Sequence, residues 1–224
     1  MDVQVAVVVS AAVVAALLGW LMPRWVARLP EPEPIDAEKT PYPELAATPG
    51  LTVRYAVAAA VVAGVLAAVL GPDARLLFLV PLSALGVALA QIDFRTRLLP
   101  KRLVLPAYPA MLVGLALAAV LRGELELITG GLLGGVIAWA IYWLLWRFTP
   151  GMGFGDVRLS GIVGMALGAF GWHTLGYGLY AAFVVGALGW IPLRLMGFTK
   201  DRHFAFGPFM LLGAVVGICL GALT

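Results

Sequence analysis

The chain has 224 residues, of which 62% belong to the hydrophobic set and only 12% are charged. A soluble domain carries about 25% charged residues, so this composition excludes a cytosolic enzyme, a disulfide-stapled secreted module and a disordered or collagen-like chain. The lone cysteine, Cys219, excludes an internal disulfide and a Cys-based zinc knuckle, and a formal charge of +3 is too weak to indicate nucleic acid as a partner. What remains is an all-α polytopic protein whose solvent is the lipid bilayer.

A helix needs about 20 apolar residues to cross a hydrocarbon core about 30 Å thick. In chain order the predicted spans are Val3–Met22, Val53–Leu70, Leu76–Ile92, Leu103–Leu121, Leu127–Trp146, Val157–Trp172, Thr174–Met196 and Phe206–Leu223. The first is preceded by Asp2 rather than by a basic segment, and Arg24 and Arg28 follow it. It therefore reads as a retained anchor with the N-terminus outside. The next segment, Pro23–Thr52, is rich in Pro and Glu and has neither Cys nor His. It is predicted to be an extended, mobile cytosolic loop with room for a small folded element.

The remaining connections are short, so residues 1–224 form a single transmembrane domain, a bundle of eight helices. In this orientation thirteen of the fifteen Lys and Arg residues are cytosolic, and only Arg75 and Arg122 are outside. That is a positive-inside pattern. Small residues recur at helical spacing at Gly130, Gly134, Ser160, Gly164, Gly168, Gly213, Gly217 and Gly221. They predict faces where helix backbones approach closely in lipid.

Familiar intramembrane catalysts are absent from the sequence. The two histidines, His173 and His203, are not in an H-E-x-x-H pattern, and Ser10, Ser83 and Ser160 are not in a G-x-S-x-G setting. Cys219 sits in an apolar run, as inert core thiols do. Among the acids, Asp93, Asp156 and Asp201 lie at cytosolic ends of spans. Asp201, between Lys200 and Arg202, reads as a solvated loop residue. Asp93 closes the third span and Asp156 opens the sixth, so a bundle can bring them together.

Two close carboxylates cannot both ionise cheaply; they share a proton, and the pair can activate water while polarising a carbonyl. Gly151, Gly153 and Gly155 lead into Asp156 and permit a substrate strand to approach the main chain. A helix-capping or solvated role for either Asp is the plain alternative. A proton-coupled transporter using the same acids as a relay is the alternative of another class. Such transporters carry paired repeats and broken mid-membrane helices, whereas these acids sit at one rim and no repeat is visible. A non-enzymatic scaffold leaves the Gly-Asp string unexplained.

Three stretches carry a family resemblance: Asp93-Phe94-Arg95-Thr96-Arg97-Leu98-Leu99-Pro100, Gly151-Met152-Gly153-Phe154-Gly155-Asp156-Val157-Arg158-Leu159, and Phe206-Gly207-Pro208-Phe209. In these motifs and in their order the chain resembles the bacterial type IV prepilin peptidases, membrane aspartyl proteases of the GxGD kind. The presenilin-like proteases match less well, since no Tyr-Asp precedes the first acid and no Pro-Ala-Leu follows the second. The resemblance implies a multi-pass protein of the cytoplasmic (inner) membrane that cuts short basic leaders from prepilin or pseudopilin precursors. Asp93 and Asp156 would be the catalytic pair, with Gly151, Gly153, Gly155 and Arg158 shaping the substrate strand or the acid loop.

Arg158 stands where the family usually has Lys. The first cytosolic loop lacks the two Cys-x-x-Cys pairs found in many members, so no metal is expected. No cofactor is expected for proteolysis, and S-adenosylmethionine is expected only where the family's methyltransferase activity is retained. The sequence carries no signal for an oligomeric state.

Overall fold

A computed structural model describes residues 2–30, 40–149, 152–195 and 205–223, without the side chains of 190–195. Among the described residues the secondary structure is helical, with no strand. The elements are α1 (Val3–Val26), α2 (Tyr42–Ala46), α3 (Leu51–Leu70), α4 (Leu76–Thr96), α5 (Lys101–Arg122), α6 (Glu126–Phe148), α7 (Phe154–Gly168), α8 (Trp172–Leu195) and α9 (Gly207–Gly221). Five of them, α1, α3, α4, α5 and α6, are long and apolar enough to cross a membrane, and α9 is a shorter apolar helix. The chain is a multi-pass helical membrane protein.

The helices pack closely as the pairs α1–α3, α6–α7 and α8–α9, with α4 touching α1, α3, α5 and α9. Helix α1 turns Val5, Val9, Val13, Leu17 and Trp20 outward, as a helix in contact with lipid does. Helix α7 is the opposite case. It is packed by α5, α6, α8 and α9, and every residue from Asp156 to Gly168 except Arg158 is buried.

The predicted small-residue faces stand at backbone contacts. A Cβ built on Gly130 would lie 2.6 Å from the Gly168 carbonyl oxygen, and one on Gly134 would lie 2.5 Å from that of Gly164. Gly213 similarly meets the backbone of Ala182 on α8. In lipid, where no hydrophobic force drives helices together, this close approach supplies the van der Waals contact that holds them.

The structure sharpens two expectations. The sixth predicted span, Val157–Trp172, is displaced toward the N-terminus: α7 begins at Phe154 and ends at Gly168, and Gly171 turns the chain with φ of +100°. A left-handed residue of this kind cannot continue a helix. The expected extended, mobile loop at 23–52 has structure at both of its described ends. Helix α1 continues through Pro23 to Val26, and α2 forms behind Pro41, whose fixed φ suits the start of a helix. Tyr42 and Leu45 are buried in a cluster with Val26, Leu29, Leu51, Tyr55, Ala88 and Ile92. The Pro-Glu string from Glu31 to Lys39 lies outside the described residues, as do Lys200, Asp201, Arg202 and His203.

At the other end of the bundle from the two acids, Asp73 gathers cations. Arg75 contacts its carboxylate at 2.6 Å and Arg122, at the end of α5, contacts it at 3.0 Å. Burial pushes this carboxyl up. The hydrogen bonds from the Arg75 side chain and backbone, with the charges of Arg75 and Arg122, outweigh that and hold it below the usual carboxylate range. The cluster ties the α3–α4 turn to the α5–α6 turn.

Candidate active site

Asp93 lies in the last turn of α4. Thr96 closes that turn by donating from Oγ1 to the Ile92 carbonyl oxygen at 2.7 Å. Arg97 then adopts a left-handed conformation (φ 54°) and donates its N–H to the Asp93 carbonyl oxygen at 2.7 Å. The reversal sends Leu98, Leu99 and Pro100 back across the end of the bundle, and extended Pro100 caps the start of α5.

Asp156 is in the first turn of α7. The N-cap position belongs to Gly153, in extended conformation, and the Asp156 N–H donates to the Gly153 carbonyl oxygen at 3.1 Å. Asp156 is therefore three residues inside the helix rather than at its N-cap. The capping alternative does not describe it.

The three motifs meet here. Leu99 from the first packs on Gly155 of the second, so closely that a Cβ on Gly155 would lie 2.8 Å from the Leu99 Cβ. From the third, the Gly207 N–H donates to Asp93 Oδ2 at 2.9 Å. A Cβ on Gly207 would stand 2.8 Å from that same oxygen, so the residue must be small for its amide to reach the carboxylate.

Asp93 and Asp156 are each 4% exposed, and both line one cavity of about 500 Å³. Its walls include Gly153, Phe154 and Gly155 from the second motif and the Arg97–Arg102 turn, with Pro30 and Tyr42 from the first connection. Arg158 also lines the cavity; its guanidinium lies over the Phe154 ring at 4.8 Å, and its carbonyl oxygen accepts from the Tyr108 hydroxyl at 2.6 Å. Gly151 lies outside the described residues.

Sequence reasoning singled out neither Tyr108 nor Tyr142 and gave Gly207 no role. Gly207 had a visible signal, a glycine opening the last span inside a recognised motif. Tyr108 had none, because the contact that selects it is 50 residues away. Among the described residues no group of three His, Cys, Asp or Glu side chains could hold a metal ion. The chemistry on offer is that of two carboxyl groups, largely shielded from water, beside a cavity floored by exposed glycine backbone.

Residues 80–222 match the type IV leader peptidase family. The chain is 31% identical over 179 residues to the prepilin leader peptidase/N-methyltransferase of Pseudomonas putida, a match covering 76% of this chain and 60% of that protein. It is 34% identical over 139 residues to the protein of the same name from Escherichia coli K12, covering 59% and 58%. It is 32% identical over 133 residues to that from Neisseria gonorrhoeae, covering 57% and 43%. The chain thus spans three fifths or less of the length of these relatives. No solved structure matches it. Asp93, Asp156 and Gly207 all fall within the matched residues, and the chain belongs to the type IV leader peptidase family.

Proposed function

We propose that the protein is an aspartyl endopeptidase of the inner membrane that removes leader peptides from prepilin or pseudopilin precursors near the cytosolic face. The observation that carries this reading is the convergence of Asp93 and Asp156, nine-tenths buried, on one cavity at one end of the bundle. The reading includes eight spans and an outer N-terminus. Arg95, Arg97, Lys101 and Arg102 stand at the end that holds the acids, and Arg75 and Arg122 at the other. The positive-inside pattern then makes the acid end cytosolic.

In the proposed reaction one carboxylate of the pair takes a proton from water as the water oxygen attacks the scissile carbonyl carbon. The other carboxyl, still protonated, gives its proton to the carbonyl oxygen. As the tetrahedral intermediate collapses, one of its hydroxyls returns its proton to the carboxylate that protonated it while the departing amine takes a proton from the other carboxyl, so the C–N bond breaks and the pair again holds one proton. One proton is shared throughout, and no metal or cofactor enters the scheme. Gly153, in extended conformation on the cavity wall, offers main chain to a substrate strand. The relatives' names also carry an N-methyltransferase activity; the proposal for this chain is confined to the peptidase step.

The test is cleavage of a purified prepilin-like precursor in detergent, read as a shortened product. Asp93→Asn keeps an oxygen to accept from Gly207, and Asp156→Asn keeps the side-chain shape, so both should fold with unchanged helicity. Each should abolish cleavage, and the double variant should be no worse than either, because each acid is useless without the other. Cleavage should persist in strong chelator. Near-normal turnover by either variant, or activity lost on chelation and restored by zinc, would overturn the aspartyl mechanism.

A further inference from the structure

Helices α6 and α7 run antiparallel, and their closest contacts define a register. Gly130 meets Gly168, and Gly134 meets Gly164. Four residues forward on α6 match four residues back on α7, each step close to one helical turn. Continuing the register puts Ala138 opposite Ser160 and Tyr142 opposite Asp156.

Two polar atoms are left over at this point. The Tyr142 hydroxyl and Asp156 Oδ1 are both buried with no hydrogen-bond partner among the described residues. A buried hydroxyl without a partner is costly, and such groups in native proteins are mostly paired with protein or water. The ring alone would be served by Phe. It lies 5.8 Å from the ring of Phe183 and 5.7 Å from that of Phe206. The next residue after Phe206 is Gly207, whose N–H holds Asp93. Tyr142 therefore backs the support of one acid with its ring, and the register places it opposite the other.

We propose that Tyr142 is a positioning residue for Asp156, its hydroxyl donating to Oδ1 directly or through one water and so presenting Oδ2 to the cavity. Oδ2 is the oxygen beside Gly153, 3.6 Å from where a Cβ on that residue would be. In the resting protein the bond runs through that water, and it closes to a direct bond in the substrate complex, in the way catalytic hydrogen bonds tighten once the reacting groups are in place. The role rests on the reading of Asp156 as one of the two peptidase acids. The other charged groups lining the cavity beside Asp156 are Asp93 of α4, Arg97, Lys101 and Arg102 of the following turn and α5, and Arg158 of α7. None of these comes from α6.

The test pairs an activity assay with a stability cycle. Tyr142→Phe keeps the ring contacts and should lower kcat roughly 10- to 100-fold, the worth of a hydrogen bond to a charged group, with KM within about twofold. It should also move the pH–rate profile, which a packing role would leave in place. Independently of activity, the change in melting temperature caused by Tyr142→Phe should differ between the wild-type and Asp156→Ala backgrounds, because the hydroxyl has lost its acceptor in the second. Wild-type cleavage with an unaffected Tyr142→Phe variant would overturn the proposal, as would identical melting shifts in the two backgrounds. Absence of cleavage by the wild type would instead count against the peptidase reading, and the melting cycle would still decide whether Tyr142 and Asp156 are paired.

Discussion

Gly207→Ala is the sharpest test of how Asp93 is held. The new Cβ would stand 2.8 Å from Asp93 Oδ2, a separation real Cβ atoms essentially never show, and 3.3 Å from Cγ. To reach the 3.4 Å at which ordinary contact begins, the carboxylate must retreat by about 0.6 Å. That lengthens the 2.9 Å hydrogen bond from the Gly207 N–H to about 3.5 Å, beyond the range of a useful bond. A hydrogen bond to a charged group contributes about 1.5–3 kcal/mol, and a misplacement of about 1 Å at a reacting group costs on the order of 100-fold in rate. Turnover of a prepilin-like precursor should therefore fall roughly 10- to 100-fold while the variant still folds. The control is Gly64→Ala in the middle of α3, where the nearest atom to the new Cβ is 3.8 Å away; it should cleave as wild type does. If Gly207→Ala turned over within about twofold of wild type, the Gly207 amide would have no part in setting the position of Asp93.

Two further outcomes are expected. Asp73 is held below the usual carboxylate range by Arg75 and Arg122 against the effect of burial, so its stabilisation is complete above the unfolded value near 3.9 and is lost as pH falls through the lower folded value. The melting gap between wild type and Asp73→Asn should be full near pH 6 and close in strong acid; a gap independent of pH would show that the charge on Asp73 does not matter. For topology, with Cys219 replaced, a cysteine at Arg95 should be shielded from impermeant thiol reagents in intact cells and one at Glu124 should be labelled. Both positions are exposed, whereas the neighbouring Thr96 is 2% exposed and would resist labelling from either side. Labelling at Arg95 from outside would place the acids on the wrong face for cytosolic precursors.

The spans were legible wherever a helix meets lipid, because lipid demands an apolar surface over a length set by the bilayer. Helix α7 touches protein on its sides, so its limits answer to Gly153 and Gly171 rather than to hydropathy, and the predicted edges were displaced. Helix α2 is five residues long, too short for any periodicity to show. Asp93 and Asp156 were visible because an acid at the end of an apolar run is rare and because a glycine string precedes the second. Their supports were harder to see. The Gly207 amide reaches Asp93 across 114 residues, and a backbone donor leaves no mark in the sequence. Tyr142 continues the four-residue spacing of Gly134 and Ala138, but that stripe reads as packing until the α6–α7 register is known.

The shortness of α7 has a consequence for lipid at the site. Its 15 residues rise about 22 Å, well under the roughly 30 Å of a hydrocarbon core. A lipid-facing helix of that length would thin the bilayer around it or tilt its neighbours. Enclosed by α5, α6, α8 and α9, α7 escapes hydrophobic mismatch altogether. The register places Asp156 level with Tyr142, six residues before α6 ends at Phe148, so the acid is recessed about 9 Å below the end of its neighbour. Asp93, three residues from the end of α4, is recessed by about half as much. The missing turns of α7 leave room at that level for the cavity that both acids line. The depth at which it holds them is set by helix lengths in the protein, so it does not change with the thickness of the membrane around it.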